Sequence, residues 1–196
     1  MHEKTSPTQQ TTGLIATGGV HWLLQHVGEN PYREGLAETP VRFLKAWEFW
    51  TSGYQKNAAD ILKTFDDGAD GCDEMVARKN IPLYSKCEHH LADIFGRVTV
   101  AYIPNGRIVG LSKLDRLVDM YARRLQVQER LTNQIADALV KHLNPLGVGV
   151  WVSARHMCIE SRGVRNGDST TITSALRGAM RNDAAARAEF YAMVNT

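Results

Sequence analysis

Hydrophobic residues recur every three or four positions in the first quarter of the chain, which is typical of helices with one buried face. Two groups of residues keep this spacing: Leu23, Leu24 and Val27, and then Phe43, Ala46, Trp47 and Trp50. Glycine and proline within residues 28–35 separate the groups, and Thr39 followed by Pro40 favours a helix start. We therefore predict a helical segment over residues 13–75, preceded by a flexible tail at residues 1–12.

The hydrophobic period changes to two in the middle of the chain, which indicates β-strands. One strand is predicted within residues 74–85. A second is predicted over residues 96–103, where one set of residues alternates with another: Val98, Val100 and Tyr102 with Thr99, Ala101 and Ile103. Asn105-Gly106 is a strong signal for a tight turn. We therefore expect a β-hairpin whose second strand begins at Arg107.

Helical spacing returns after Ser112, and Asp115 three positions later completes the pattern of a capping box. The spacing of apolar residues shifts near residues 125–129, which indicates two helices with a break between them. Asn144-Pro145 is expected to end the second helix.

Two further strands are predicted over residues 148–158 and 169–178, with a short helix near the C-terminus. The order of elements after the helical segment is therefore ββααββ. This order predicts an α+β fold, an antiparallel sheet with helices on one side, that occupies residues 76–196.

The charges of the chain nearly cancel, with 23 Lys and Arg against 21 Asp and Glu, which argues against a dedicated nucleic-acid-binding protein. The three cysteines, Cys72, Cys87 and Cys158, are too few for a disulfide scaffold. No apolar run approaches the ~20 residues of a membrane helix, and residues 1–12 lack the apolar core of a signal peptide. We expect a cytoplasmic protein with reduced thiols and neither nucleic-acid nor membrane partners.

The stretch YSKCEHHL, residues 84–91, brings a thiol, a carboxyl group and two imidazoles together. Cys87 and His90 have C-x-x-H spacing, from which both side chains can reach one ion. Cys158 is the candidate third ligand because it is the only cysteine on a predicted strand after the helices. Two thiolates and one imidazole would leave one tetrahedral position for water, as in catalytic zinc sites. The alternative is a chance C-x-x-H and a Cys158 that simply packs in the core.

Alternation along the predicted strand would place four polar residues on one face: His156, Cys158, Glu160 and Arg162. Such a set is not typical of a core, so we expect it to face a polar ligand. His156 and His89 are candidate general acids or bases because the pKa of histidine lies near neutrality. The alternative interpretation is that both are ordinary surface histidines.

Ser112, Lys113 and Arg116 cluster at the start of a predicted helix, where free N–H groups favour anions. Together with Arg162 they are candidates for a polyphosphate clamp; otherwise they form a solvated helix face. Glu129 lies at the helix break. Its carboxylate could accept two parallel hydrogen bonds from N1–H and the 2-amino group of guanine, or it could be an ordinary surface glutamate.

Five stretches together resemble the GTP cyclohydrolase I family over about residues 20–180: NPYREGLAETPVRFLKAW, YSKCEHHL, GRIVGLSKLDRLVDMYARRLQVQERLTNQIA, RHMCIESRGV and TTITSALRG. The resemblance implies a tunnelling fold with an N-terminal helical extension. It implies a zinc enzyme that converts GTP and water to 7,8-dihydroneopterin triphosphate and formate, the first step toward folates, pterins or 7-deazaguanine bases. It also implies a homodecamer of two stacked pentamers with active sites between subunits.

The resemblance also implies a role for individual residues. Cys87, His90 and Cys158 match the zinc ligands. His156 matches the histidine that handles protons at N7 and the leaving group, and His89 the one near the ribose oxygen. The remaining matches are Ser112 for the rearrangement, Glu129 and Gln128 for the guanine and ribose region, Lys113, Arg116 and Arg162 for the triphosphate, and Arg42 for a contact from a neighbouring subunit.

Three charged residues depart from the family pattern. Lys86 and Glu160 stand where apolar or small residues are usual, and Asp93 lies in a stretch that is usually apolar. Three alternatives remain open at this point. A nitrile reductase of the same fold would use NADPH and a thioimide-forming cysteine. A zinc deaminase would need H-x-E and P-C-x-x-C motifs, which are absent. A non-catalytic zinc-binding or nucleotide-binding protein would have a closed site with four ligands.

Overall fold

The computed structural model describes residues 7–65, 69 and 71–195. Contacts between Cα atoms divide the chain into two compact units, residues 1–50 and residues 51–196. The sequence had suggested a division between residues 75 and 76. Among the described residues, no helix is both long and apolar enough to cross a membrane.

The first unit contains two helices, α1 (Pro7–His26) and α2 (Thr39–Trp50). Helix α2 begins at the Thr39-Pro40 pair, as predicted. Helix α1 begins at Pro7, within the segment 1–12 that was expected to be a tail, and residues 1–6 lie outside the described part of the chain.

The second unit is built on a mixed sheet of five strands in the order β5-β2-β3-β6-β7. Its neighbouring strands are antiparallel, except that β5 runs parallel to β2. The strands of this sheet are β2 (Val76–Cys87), β3 (Asp93–Ile103), β5 (Leu125–Gln126), β6 (Gly147–His156) and β7 (Thr171–Gly178). The long helices α4 (Leu111–Ala122) and α5 (Gln128–Leu143) lie between β3 and β6 in the sequence. The predicted ββααββ order and α+β class are therefore confirmed.

The main core lies between the sheet and helices α4 and α5. Alternate strand residues such as Val98, Val100 and Val150 are fully buried there, against Leu117 of α4 and Ile135 of α5. These residues belong to the apolar stripes that the sequence predicted. Burial of a large aliphatic side chain contributes about 1.5–3 kcal/mol, so this layer holds the sheet and the helices together.

The predicted hairpin at Asn105-Gly106 is wrong, although the chain does bend at these two residues. The strand that follows it, β4 (Ile108–Val109), pairs with β1 (Thr64–Phe65) in a separate sheet of two strands. The reason is that β2 and β6 already occupy both edges of β3. A third partner for β3 is therefore excluded.

The predicted capping box at Ser112 is also absent. Helix α4 begins at Leu111, and its N-cap is Gly110, which has no side chain that could cap. Asp115 instead forms an ion pair with Arg78 on β2, with Nη2–Oδ2 and Nε–Oδ1 distances of 2.9 and 3.1 Å. The carboxylate therefore joins α4 to the sheet rather than closing the helix start.

The strand predicted over residues 148–158 ends at His156. Met157–Glu160 forms the short helix α6, so Cys158 does not lie on a strand. The expected alternation of His156, Cys158, Glu160 and Arg162 on one strand face is consequently wrong. The turn nevertheless brings Cys158 back over the end of the sheet.

In addition to the predicted helices on one side of the sheet, a C-terminal helix packs on the other side. After α7 (Ala179–Asn182), helix α8 (Ala184–Asn195) packs on the opposite face, where Phe190 and Met180 are fully buried with Ala101. Gly149 of β6 makes this approach possible. A Cβ atom at Gly149 would lie 2.8 Å from both the Phe190 ring and the Met180 sulfur. The remaining element of the described chain, α3 (Ala58–Ile61), follows a 3₁₀ turn at Ser52–Gln55.

Candidate metal centre and active site

Cys87, His90 and Cys158 converge at one end of the five-stranded sheet. Cys87 is the last residue of β2, His90 lies in the turn that follows, and Cys158 lies in α6. Pairing of Ile94 with His156 places the end of β6 beside the start of β3, which brings α6 to this turn. The ligand atoms of the three residues lie within 4.8 Å of one another, and the Cys87 Sγ–His90 Nδ1 distance is 3.9 Å.

The Cys87–His90 distance is close to that expected for two ligands of a tetrahedral zinc ion, and 4.8 Å is an upper limit for the other pairs. Zn–S and Zn–N bonds of about 2.3 and 2.0–2.1 Å imply donor–donor separations of about 3.6–3.8 Å. Two thiols and an imidazole are also the donor types that zinc prefers. The group found among the described residues has three members, and His90 is exposed to solvent. The arrangement therefore resembles a catalytic site more closely than a closed structural one.

The electrostatics of the thiols favour a cation between them. Burial raises the pKa of the Cys158 thiol, and the neighbouring Cys87 raises it further through a hydrogen bond and charge repulsion. Two adjacent thiolates therefore do not form readily by themselves. A divalent cation would relieve the repulsion and displace the protons, so that metal binding is coupled to proton release.

The backbone fixes the turn that carries Cys87 and His90. The Cys87 N–H donates to Ala92 O at 2.8 Å, and the Leu91 N–H donates to Cys87 O at 2.8 Å. Leu91 adopts a left-handed backbone with φ of +56°, which is uncommon for a non-glycine residue. The Glu88 N–H donates to Gln126 O of β5 at 3.0 Å. These bonds define a rigid turn whose shape the sequence motif alone did not reveal.

A fully buried glutamine holds His156 beside this cluster. The Gln128 amide nitrogen donates to Thr171 O at 2.9 Å and to Val152 O at 3.3 Å. Carbonyl oxygens can only accept hydrogen bonds, so the orientation of the amide is fixed by chemistry. The amide oxygen must therefore be the atom that faces His156, and the Oε1–Nε2 distance is 2.8 Å.

This contact determines the tautomer of the uncharged imidazole. Because Gln128 Oε1 is an acceptor, His156 must carry its proton on Nε2, and Nδ1 keeps the free lone pair. Burial lowers the pKa of His156, while the negative charges of Glu129 and Glu160 partly oppose this effect. The imidazole is thus held uncharged near neutral pH, with Nδ1 able to accept a proton.

Two threonines complete the support of Gln128. The Thr132 hydroxyl donates to Gln128 O at 2.7 Å and lies 2.7 Å from the Thr173 hydroxyl, which lies 3.1 Å from the Gln128 amide nitrogen. Gln128 and Thr132 therefore belong to a network inside the protein. The sequence analysis did not identify this network. The sequence feature that could have revealed the network is a polar residue, Gln128, that falls in the apolar stripe of α5, three positions before Leu131.

The acidic residue that follows Cys87 in the sequence is paired with a basic residue. Glu88, the carboxyl group of the YSKCEHHL stretch, forms an ion pair with Arg130. Its second oxygen lies 3.8 Å from His89 Nε2. His89 itself is 62% exposed, so its ring is available to a ligand on the outer side of the turn.

The remaining predicted residues are distributed around the site as follows. Ser112, Lys113 and Arg116 lie in the first two turns of α4, and Glu129 lies in the first turn of α5. Arg162 follows α6, and its positive charge is close enough to lower the pKa of Cys158. Arg42 belongs to the other compact unit, where it forms an ion pair with Glu38. The contacts of all these residues with a substrate remain predictions.

A cleft of about 410 Å³ lies on the face of the sheet opposite α4 and α5. Its walls include Tyr84, Phe95, Trp151 and Arg155 but none of the three candidate ligands. We therefore locate the candidate active site at the end of the sheet, where the three candidate ligands lie, rather than in this cleft.

Comparison with known proteins identifies the family. The pattern of the GTP cyclohydrolase I family matches residues 16–195. The chain is 59% identical over 168 residues to a GTP cyclohydrolase 1 of Janthinobacterium sp. (strain Marseille), covering 86% of this chain and 85% of the relative. It is 53% identical over 174 residues to a GTP cyclohydrolase 1 of Nitrosospira multiformis, covering 89% and 91%.

Among solved structures, an archaeosine synthase QueF-Like protein in its apo form shares 22% identity, with a TM-score of 0.45, over 53% of this chain and 93% of that one. The match to the family pattern spans nearly the whole chain and includes both turns that carry the candidate ligands. The chain belongs to the GTP cyclohydrolase I family.

Proposed function

We propose that this chain hydrolyses the guanine ring of GTP at C8, releases formate and closes the product to 7,8-dihydroneopterin triphosphate. The chain is an enzyme of the GTP cyclohydrolase I type. The observation that carries the proposal is the convergence of two thiols and an imidazole beside a histidine whose tautomer is fixed.

Cys87, His90 and Cys158 would hold a zinc ion. When bound, zinc supplies Lewis acidity and lowers the pKa of a water to about 7, which suits hydrolysis at a purine carbon. The donor types and the 3.9 Å separation of Cys87 Sγ from His90 Nδ1 support zinc over magnesium or calcium, which prefer oxygen donors.

His156 is the residue that we assign to proton transfer during ring opening. Its Nε2–H is held by Gln128, so Nδ1 is the atom that accepts and returns a proton. A general acid or base of this kind contributes about 10²–10⁴-fold to the rate. His89, on the exposed side of the same turn, is assigned to the ribose oxygen, and Ser112 to the rearrangement of the opened sugar.

Glu129 is the residue that we assign to guanine recognition. Its charge acts on His156, so the carboxylate lies within electrostatic reach of the candidate acid–base group. Two parallel hydrogen bonds to N1–H and the 2-amino group of guanine would select GTP over ATP. The predicted contact of Gln128 with the guanine and ribose region stays a prediction, and its burial and its bond to His156 support a further role in holding that histidine.

Lys113, Arg116 and Arg162 are proposed to bind the triphosphate. The formal net charge of the chain is only +2, so attraction of a polyanion depends on such a local cluster. Arg42 would complete the clamp from a neighbouring subunit in a homodecamer of two stacked pentamers. We also propose that the enzyme acts in the cytoplasm, where its three cysteines remain reduced.

One experiment tests this proposal against the alternatives. Zinc-loaded protein is incubated with GTP, and formate and the fluorescence of the oxidised pterin are measured. We expect both products, and we expect Cys158→Ser to lose zinc and both products together. Formation of neither product by the zinc-loaded native protein would support a binding role instead. Retention of full zinc binding and turnover in Cys158→Ser would refute the ligand assignment.

A further inference from the structure

We propose that two ion pairs, Lys86–Asp93 and Arg155–Glu160, are positioning pairs that hold the metal ligands at the separation required for binding. We call residues 87–92 the first ligand turn and residues 156–160 the second ligand turn. The proposal rests on the proposed function because it assumes a metal at Cys87, His90 and Cys158. It assigns a role to four side chains that are outside the proposed sets of metal ligands and substrate-binding residues.

The first pair closes the base of the first ligand turn. Lys86 and Asp93 are directly opposite each other on β2 and β3, and the turn lies between them. Lys86 Nζ lies 2.5 Å from Asp93 Oδ1. The Lys86 side chain is only 10% exposed, so its ammonium group is held largely out of water. Such a pair restricts how far the two strand ends can separate, and therefore how far Cys87 can move relative to His90.

The second pair closes the second ligand turn in the same manner. Arg155 precedes His156 on β6, and Glu160 is the last residue of α6. The guanidinium donates to the carboxylate through two nitrogens, with an Arg155 Nε–Glu160 Oε1 distance of 2.9 Å and a second contact from Nη2 to Oε2. The Glu160 side chain is only 7% exposed. In the sequence, both His156 and Cys158 lie between Arg155 and Glu160, so the ion pair closes the segment that contains them.

The two pairs also act on the same strand. Asp93 and Phe95 are two residues apart on β3, so their side chains emerge on one face of the sheet. Lys86 binds Asp93 from β2, and the Arg155 guanidinium lies over the Phe95 ring from β6, 5.2 Å from its centroid. The two pairs are thereby linked through β3, which lies between the strands that lead into the two ligand turns. This link would limit the movement of Cys158 relative to Cys87 and His90.

The expected benefit is preorganisation. Two turns that are ordered during folding lose little further conformational freedom when a metal binds, so the affinity rises without any new bond to the metal. Changes in groups that orient metal ligands typically reduce metal affinity by about 10–100-fold. Because these pairs act on the turns rather than on the ligand atoms, we expect about tenfold, at the lower end of that range.

The test replaces one carboxylate of each pair by the amide of the same shape, in Asp93→Asn and Glu160→Gln. The matched control is Asp137→Asn, which breaks an ion pair of similar length between α5 and β7, with an Asp137 Oδ1–Arg177 Nη2 distance of 2.9 Å. Arg177 is opposite Val148, at the other end of β6 from His156. Zinc affinity is measured at 25 °C by competition with a chromophoric chelator, and thermal unfolding of the metal-free protein is measured in parallel.

We expect Asp93→Asn and Glu160→Gln each to raise the zinc Kd by about tenfold, and Asp137→Asn to leave it within about twofold of native. A reversed pair, Arg155→Glu with Glu160→Arg, should recover most of the affinity lost in Glu160→Gln. Equal zinc affinity in native protein, Asp93→Asn and Glu160→Gln would overturn the proposal, as would an equal loss in the control. Should Glu160→Gln fail to fold, Asp93→Asn decides alone, because Asp93 is 59% exposed and its amide is readily solvated.

These outcomes are distinguishable from failure of the proposed function. A native protein that binds zinc tightly but produces no formate from GTP would refute the activity and leave the positioning pairs intact. A native protein that binds no zinc would refute both.

Discussion

Replacement of Gln128 by methionine is the most direct test of how the protein fixes the tautomer of His156, the proposed acid–base residue. Methionine keeps the length of the side chain and removes the amide. The Nε2–H of His156 loses its acceptor, and Val152 O and Thr171 O lose a donor. Three groups therefore each lose one hydrogen-bond partner. Because both carbonyls remain within the sheet, we take the cost of each loss near the lower end of the ~1–3 kcal/mol for an unsatisfied buried group, for a total of about 2–4 kcal/mol.

The effect on catalysis follows from the tautomer. Without the amide oxygen, the proton of His156 is free to occupy Nδ1, the atom proposed to accept a proton from the substrate. The ring also loses its fixed orientation, and misplacement of a reacting group by about 1 Å can cost roughly 10²-fold. We expect kcat to fall by about 10–100-fold. The KM for GTP should change much less because Glu129 and the basic residues are untouched.

The assay combines kinetics, urea unfolding and ¹⁵N magic-angle-spinning NMR of histidine-labelled protein, with the His156 signals identified by their loss in His156→Ala. The control is Gln126→Met, which removes another buried amide that donates to Tyr121 O and Gln134 Oε1 but does not contact His156. It should lose stability and retain the Nε2–H form of His156. An unchanged tautomer and unchanged kcat in Gln128→Met would refute the reasoning.

Three further predictions follow from the described contacts. His156→Ala should retain zinc and lose turnover by about 10²–10⁴-fold, whereas loss of zinc in a metal assay would make His156 a ligand. Glu129→Ala should weaken GTP binding and reduce the preference for GTP over ATP. Such a preference is up to ~10⁴-fold where a site pairs every polar group of its substrate. Equal binding of both nucleotides by the native protein would contradict the assignment. Gly149→Val should lower the free energy of unfolding in urea by about 1–3 kcal/mol, because the valine side chain would meet Phe190. An unchanged midpoint of urea unfolding would show that α8 can move away.

The general fold could be predicted from the sequence because its two hydrophobic periods correspond to well-packed layers. Val98 and Val100 alternate as strand residues with one buried face, and Leu117 and Ile135 belong to helical stripes. The hairpin could not be predicted, because local turn chemistry at Asn105-Gly106 says nothing about which strands already occupy the edges of β3. Pairing is a property of the whole sheet.

The candidate metal site was found for partly incorrect reasons. Cys158 was selected as a strand residue, whereas it lies in the helical turn α6. It nevertheless joins the cluster, because the turn after β6 brings it close to Cys87 and His90. Lys86, Asp93 and Glu160 were recognised only as departures from a pattern. Their ion pairs connect residues on different elements, and such connections become visible only when the strands are in register.

The close approach of two sulfur atoms has a consequence for handling this protein. Cys87 and Cys158 are free thiols whose sulfur atoms lie within 4.8 Å of each other, and Cys158 is partly accessible to solvent. A chelator would leave these thiols facing each other, and dissolved oxygen could then oxidise them to a disulfide. A bound ion would thus also protect the two thiols from oxidation. Protein purified with EDTA in air should lose activity that zinc restores only after treatment with a reductant.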